Sequence, residues 1–166
     1  MTGADALTVA GDISLNATGN LTVAGAATAS GSVTMSGGNV SLAAVTSDSD
    51  TSGGDGAVII EAGTGLALNG NVTSNHNAIT VRGNADSVTL DLGTAGSGNL
   101  SLDQTELDRL RAGTGTVTFG MVSGGAISAN SVDLNTTATQ AGVNILSAGA
   151  LTTDNAINLG GDNLSI

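Results

Sequence analysis

Three aspartates crowd one stretch of this chain: Asp48, Asp50 and Asp55, set among Ser, Thr and Gly. Carboxylates in a flexible loop suit calcium, a hard cation that takes oxygen ligands. The run Gly53-Gly54-Asp55-Gly56-Ala57-Val58 opens like a calcium-binding nonapeptide repeat. It departs where such a repeat needs Asp and this chain has Val58, and it does not recur. A solvated loop explains the three aspartates better than a metal site, so no metal or cofactor is expected.

Other chemistry is sparse. His76 is the sole histidine and sits in the polar run Ser74-Asn75-His76-Asn77. A catalytic imidazole needs a nucleophile or a carboxylate held beside it. Nothing nearby in sequence supplies one, so His76 reads as an exposed turn residue. Lys is absent, and the cations are Arg82, Arg109 and Arg111. Arg82 with Asp86 or Asp91 is the only start of a carboxylate–cation cluster of the kind that cleaves acidic polysaccharides. Serine is abundant, but no Gly-x-Ser-x-Gly elbow is followed by a plausible Asp and His order. No catalytic residue is assigned and no enzyme is expected.

The elements that must position these residues follow a short beat of apolar, Thr or Ser, apolar. It appears as Leu7-Thr8-Val9, Ile13-Ser14-Leu15, Leu21-Thr22-Val23, Val33-Thr34-Met35 and Ile79-Thr80-Val81, and ends at Leu164-Ser165-Ile166. Period-two alternation places the outer residues on one face and the hydroxyl on the other. Gly, Asn, Asp and Ser fill the gaps as turns. Such strands are too short to be stable alone. Stacked about 4.8 Å apart they pair with the strands above and below. The expectation is an all-β fold: a parallel β-helix, or β-solenoid, of six to seven coils with about twenty residues per coil. Three strands per coil place Leu7, Ala27, Val58, Ile79, Val117 and Val143 at successive starts, and Leu164 opens a seventh. Asn16, Asn39, Asn71, Asn99 and Asn135 are placed to take left-handed turns or form side-chain ladders.

Composition agrees. The 166 residues hold 26 Gly, no Pro, no Cys, no Trp, no Tyr and one Phe. A core without aromatics must be narrow enough for Val, Leu, Ile and Ala to fill. The absence of Pro spares the ladder donors. The net charge of −11 argues against nucleic acid, whose phosphates need Lys and Arg, and against anionic lipid. No run approaches the length of a membrane span. Two insertions interrupt the beat. Residues 45–56 read as an exposed loop. Residues 91–115 carry a short helix over 103–111. Asp103 serves as N-cap with Glu106 three residues on, and Leu102 and Leu107 form a staple. Glu106 with Arg109 and Asp108 with Arg111 are i,i+3 pairs, and Gly113 suits the helix stop.

The segment from Val88-Thr89-Leu90 through Leu100-Ser101-Leu102-Asp103-Gln104-Thr105-Glu106-Leu107-Asp108-Arg109-Leu110 to Gly115-Thr116-Val117-Thr118-Phe119-Gly120 resembles the repeat region of filamentous haemagglutinin-like bacterial exoproteins. In those proteins a strand, a Leu-Ser-x-x-Glu-Leu-x-x-Leu/Ile helix and a Gly-x-Val-x-Phe/Ile-Gly strand recur. The resemblance implies a right-handed β-helix, a secreted or cell-surface location and a scaffold or adhesive role. The Asn-Pro motifs of the family's secretion domain are missing, so residues 1–166 read as one shaft segment of a longer protein. The function expected is a non-catalytic shaft or display segment of an adhesin. The alternative is a subunit that stacks end to end into a filament. Expected partners are neighbouring copies, or host and cell-surface glycans or proteins.

Overall fold

The computed structural model describes residues 5–49, 56–93, 98–134, 142–153, 155–159 and 164–166. In chain order the strands begin with β1 (Leu7–Val9), β2 (Ile13–Asn16), β3 (Leu21–Val23), β4 (Ala27–Ala29), β5 (Val33–Leu42) and β6 (Val45–Ser47). Next come β7 (Val58–Leu68), β8 (Val72–Ser74), β9 (Ile79–Gly83), β10 (Leu90–Gly93) and β11 (Leu100–Asp103). A helix, α1 (Gln104–Leu107), precedes β12 (Leu110–Arg111), β13 (Thr116–Gly120), β14 (Ile127–Asn130) and β15 (Val132–Asp133). The last strands are β16 (Gly142–Leu146), β17 (Leu151–Thr153), β18 (Ile157–Asn158) and β19 (Leu164–Ser165).

The protein is all-β, and every strand pairing among the described residues is parallel. The described strands fall into four sheets. One runs β1-β4-β6-β8-β12, a second β11-β10-β14-β17, and a third is the pair β15-β18. The largest runs β2-β5-β7-β9-β13-β16-β19, with β3 also on β5.

Alternation does the packing work. Within most strands the apolar positions are buried and the intervening hydroxyls partly exposed, as period two requires. Register keeps like beside like. Leu15, Met35, Ile60, Val81, Phe119 and Ile145 occupy successive positions across the large sheet. Leu7, Ala27, Val45, Val72 and Leu110 do the same across the five-stranded sheet. These columns meet in one hydrophobic core.

The register corrects several expectations. Val45 follows Ala27 in its column, while Val58 lies between Val33 and Ile79 in another. The expected exposed loop at 45–56 is therefore wrong at its start: Val45–Ser47 is a strand with Val45, Ser47 and Asp48 buried. Polar residues at core positions hid it. The beat at Val88-Thr89-Leu90 is in phase but the strand starts late: Val88 is half-buried against the core, while the strand begins at Leu90 and buries Leu90 and Leu92. Strand order also reverses locally: β11 is the edge of its sheet and β10 sits between it and β14. Among the described residues the non-glycine positions with left-handed backbone are Asp48 (φ 51°) and Ser131 (φ 51°), not asparagines. Asn39 does join a side-chain pair, donating to Asn20 Oδ1 at 2.8 Å. Asn135 lies outside the described residues.

The helix starts as the sequence dictates and stops early. Asp103 accepts from the Glu106 N–H at 2.9 Å, and Glu106 Oε2 accepts from the Asp103 N–H at 3.1 Å, completing a capping box. Leu107 is buried. The helix ends there rather than at Arg111, because Leu110 and Arg111 pair with Val72 and Thr73 as a strand. Gly113, expected at the helix stop, instead takes a left-handed turn (φ 58°) after that strand. The i,i+3 ion pairs do not form. Glu106 Oε1 accepts from the Leu68 N–H at 3.0 Å, and the Arg109 guanidinium donates to the Leu68 carbonyl. Gln104 donates to the Asp133 carbonyl at 2.7 Å and accepts from the Asp133 N–H at 2.9 Å. Helix side chains thus bond main-chain groups that a neighbouring strand would otherwise satisfy.

Candidate functional site

Among the described residues, a buried carboxylate meets an imidazole at a corner after β6 and β8. These strands pair in register, with Ser47 opposite Ser74. Both serines are buried and both donate to the Gly56 carbonyl, Ser74 at 3.0 Å. The Ser74 hydroxyl also accepts from the Asn77 N–H at 3.1 Å. The next residue in each segment turns the corner. Asp48 does so with a left-handed backbone, which Asp tolerates better than most side chains. Its carbonyl accepts from Asn75 Nδ2 at 2.8 Å. Gly56 fits because a Cβ there would fall 2.2 Å from Asp48 Cβ.

Asp48 is turned inward, and its side chain is 0% exposed. Oδ2 lies 2.7 Å from His76 Nδ1, and the His76 side chain is 40% exposed. In a neutral imidazole this contact requires the proton on Nδ1, leaving Nε2 as the acceptor nitrogen. Oδ1 is buried with no hydrogen-bond partner. His76 is therefore not the isolated turn residue expected. It is the hydrogen-bond partner of a buried carboxylate, across 28 residues of sequence.

Of the calcium candidates, Asp48 is committed to His76, and Asp50 and Asp55 lie outside the described residues. Among the described residues no group of three or more His, Asp or Glu side chains is placed to hold a metal ion. The Arg82 cluster does not assemble either. Arg82 Nε donates to Glu61 Oε1 at 2.9 Å, across the β7–β9 ladder. Asp86 accepts from the Ser123 hydroxyl at 2.9 Å, and Asp91 accepts from the Gly98 N–H. The Arg82–Glu61 pair is partly exposed and contributes at most about 1 kcal/mol.

Sequence reasoning missed the Asp48–His76 pair, yet a signal was present. Val45-Thr46-Ser47 and Val72-Thr73-Ser74 are identical triplets. Aligning them sets Asp48 beside Asn75 and brings His76 within reach. As it stands the corner ties two adjacent strands, and a base or metal ligand at Nε2 would need further groups. The tie is testable. His76→Ala leaves both Asp48 oxygens unpaired and should cost about 1–3 kcal/mol in urea unfolding. Adding Asp48→Asn removes the buried charge and should return most of that loss. A loss below about 0.5 kcal/mol, the range of ordinary surface changes, would show that the pair contributes nothing.

The fold and this corner define the chain as an all-β protein of parallel strands with a buried acid–imidazole tie. Comparison with protein families, with curated proteins and with solved structures finds no match. Among the described residues no helix is long and apolar enough to cross a membrane.

Proposed function

We propose that the chain is a right-handed parallel β-helix serving as a non-catalytic shaft or display segment of a secreted or surface-attached bacterial adhesin. The observation that carries this reading is the ladder β2-β5-β7-β9-β13-β16-β19, seven parallel strands taken in sequence order from Ile13 to Leu164. Each step between neighbours passes through at least one strand of another sheet and returns in parallel. Such crossovers are right-handed in nearly every known case. The capped helix between β11 and β12 lies within the strand–helix–strand segment, Val88 to Gly120, by which the sequence resembles filamentous haemagglutinin-like exoproteins.

A shaft of this kind needs reach rather than chemistry. Each added layer extends the stack by about 4.8 Å, and its backbone hydrogen bonds point along the stacking direction. Pulling on the ends therefore loads many bonds together. The acidic surface (net charge −11) keeps such a stack soluble. The partners of the reading are cell-surface glycans or proteins. An antibody raised against the purified chain should label intact cells that make it, or detect it in their culture fluid. Signal appearing only after lysis would overturn the reading.

A further inference from the structure

The ladders are not continuous on every side, and α1 sits at the interruption. The C-terminal half of β7, Leu66–Leu68, pairs with β5 on one side only. Beyond it packs β11, which is the edge of a different sheet. The Leu68 peptide groups that face this gap bond to Glu106 and Arg109 rather than to a strand. A second break lies nearby. The five-stranded sheet ends at β12, and β15 belongs to the separate pair β15-β18. There Gln104 grips both main-chain groups of Asp133. Past α1 the large sheet runs on through β7, β9 and β13, and the five-stranded sheet keeps only the two-residue β8–β12 pair.

We propose that α1 is a latch across this seam. With Glu106, Arg109 and Gln104 engaged, the strands up to β8 and those from β10 onward are held as one body. With α1 displaced, the two-residue β8–β12 pair parts with it, and the two bodies splay at the seam, hinged on the large sheet at β7–β9–β13. The device rests on strand order and three side chains, and is independent of any role in display. It fits the local economy of α1, which is a single turn. So short a helix has little stability of its own and depends on its capping box and on buried Leu107.

The chain has no cysteine, so single thiols can report the opening. Ala112, buried just after β12 at the break, is the seam probe. Ala62, buried in the unbroken sheet opposite Gly83, is the control. Ala112→Cys and Ala62→Cys are each made with Glu106 intact and with Glu106→Ala. The labelling rate by a thiol reagent is then measured under native conditions. The latch predicts that Glu106→Ala speeds labelling at position 112 at least about tenfold, as loss of one to two hydrogen bonds would, with the rate at position 62 little changed. Equal acceleration at both positions would make Glu106 an ordinary contributor to global stability and would overturn the latch. No acceleration at position 112 would overturn it too. Should Glu106→Ala fail to fold, Glu106→Gln and Gln104→Ala weaken the same contacts, and the ratio of the two rates is read in the same way.

Discussion

Replacing Phe119 by alanine should destabilise the protein by about 3–5 kcal/mol, the range for deleting a buried aromatic ring. Phe119 is the only aromatic residue and is 1% exposed. In the large sheet it lies directly between Val81 and Ile145. A cavity costs least where its walls can close. Here the walls are held at the ladder spacing by backbone hydrogen bonds on both sides, so collapse toward the vacant site is limited. The loss should therefore sit in the upper part of that range. Phe119→Leu keeps much of the volume and should cost far less. Urea unfolding of the two variants measures both. A Phe119→Ala loss near 1 kcal/mol would mean that the columns are looser than the register implies.

That argument also shows which parts of the fold were legible. A beat such as Ile79-Thr80-Val81 declares a strand and its inward face, because side-chain alternation is local. The capping box at Asp103 and Glu106 is local as well, and it formed. What failed was decided at a distance. Helix α1 stops short because Leu110 has a place beside Val72, and nothing within residues 103–111 announces that competition. Val45–Ser47 was lost to a loop because Ser47 and Asp48 are polar at buried positions. Gly56 accepts from Ser47, Asn75 donates to the Asp48 carbonyl and His76 pairs with one of the two Asp48 carboxylate oxygens. The site was the least legible part for the same reason: its two titratable groups meet only once the strand register is known. The strand reversal that places β11 beside β7 leaves no mark in the hydrophobic pattern, since either order buries the same leucines.

Gly120→Ala should be among the most damaging small substitutions in the chain. Gly120 has φ 80°, a left-handed conformation that costs a residue with a Cβ about 1–2 kcal/mol. Space adds to the cost. A Cβ there would lie 2.2 Å from the Leu146 carbonyl oxygen and 2.6 Å from Ile127 Cδ1. The Ile127 methyl group can rotate away. Leu146 cannot, because it is Gly120's own ladder partner across β13 and β16. Relief must come from parting two strands of the unbroken sheet, which breaks the hydrogen bonds that stack them. The expected loss exceeds the backbone term and falls in the range above about 4 kcal/mol that marks a specific structural fault. Gly11→Ala is the matched control. Nothing lies within 4 Å of its Cβ position, so it should change stability by no more than about 0.5 kcal/mol. Comparing the two unfolding midpoints separates steric exclusion at the ladder from the general effect of removing a glycine. Equal effects would mean that β13 and β16 are not held in the register that sets Gly120 against Leu146.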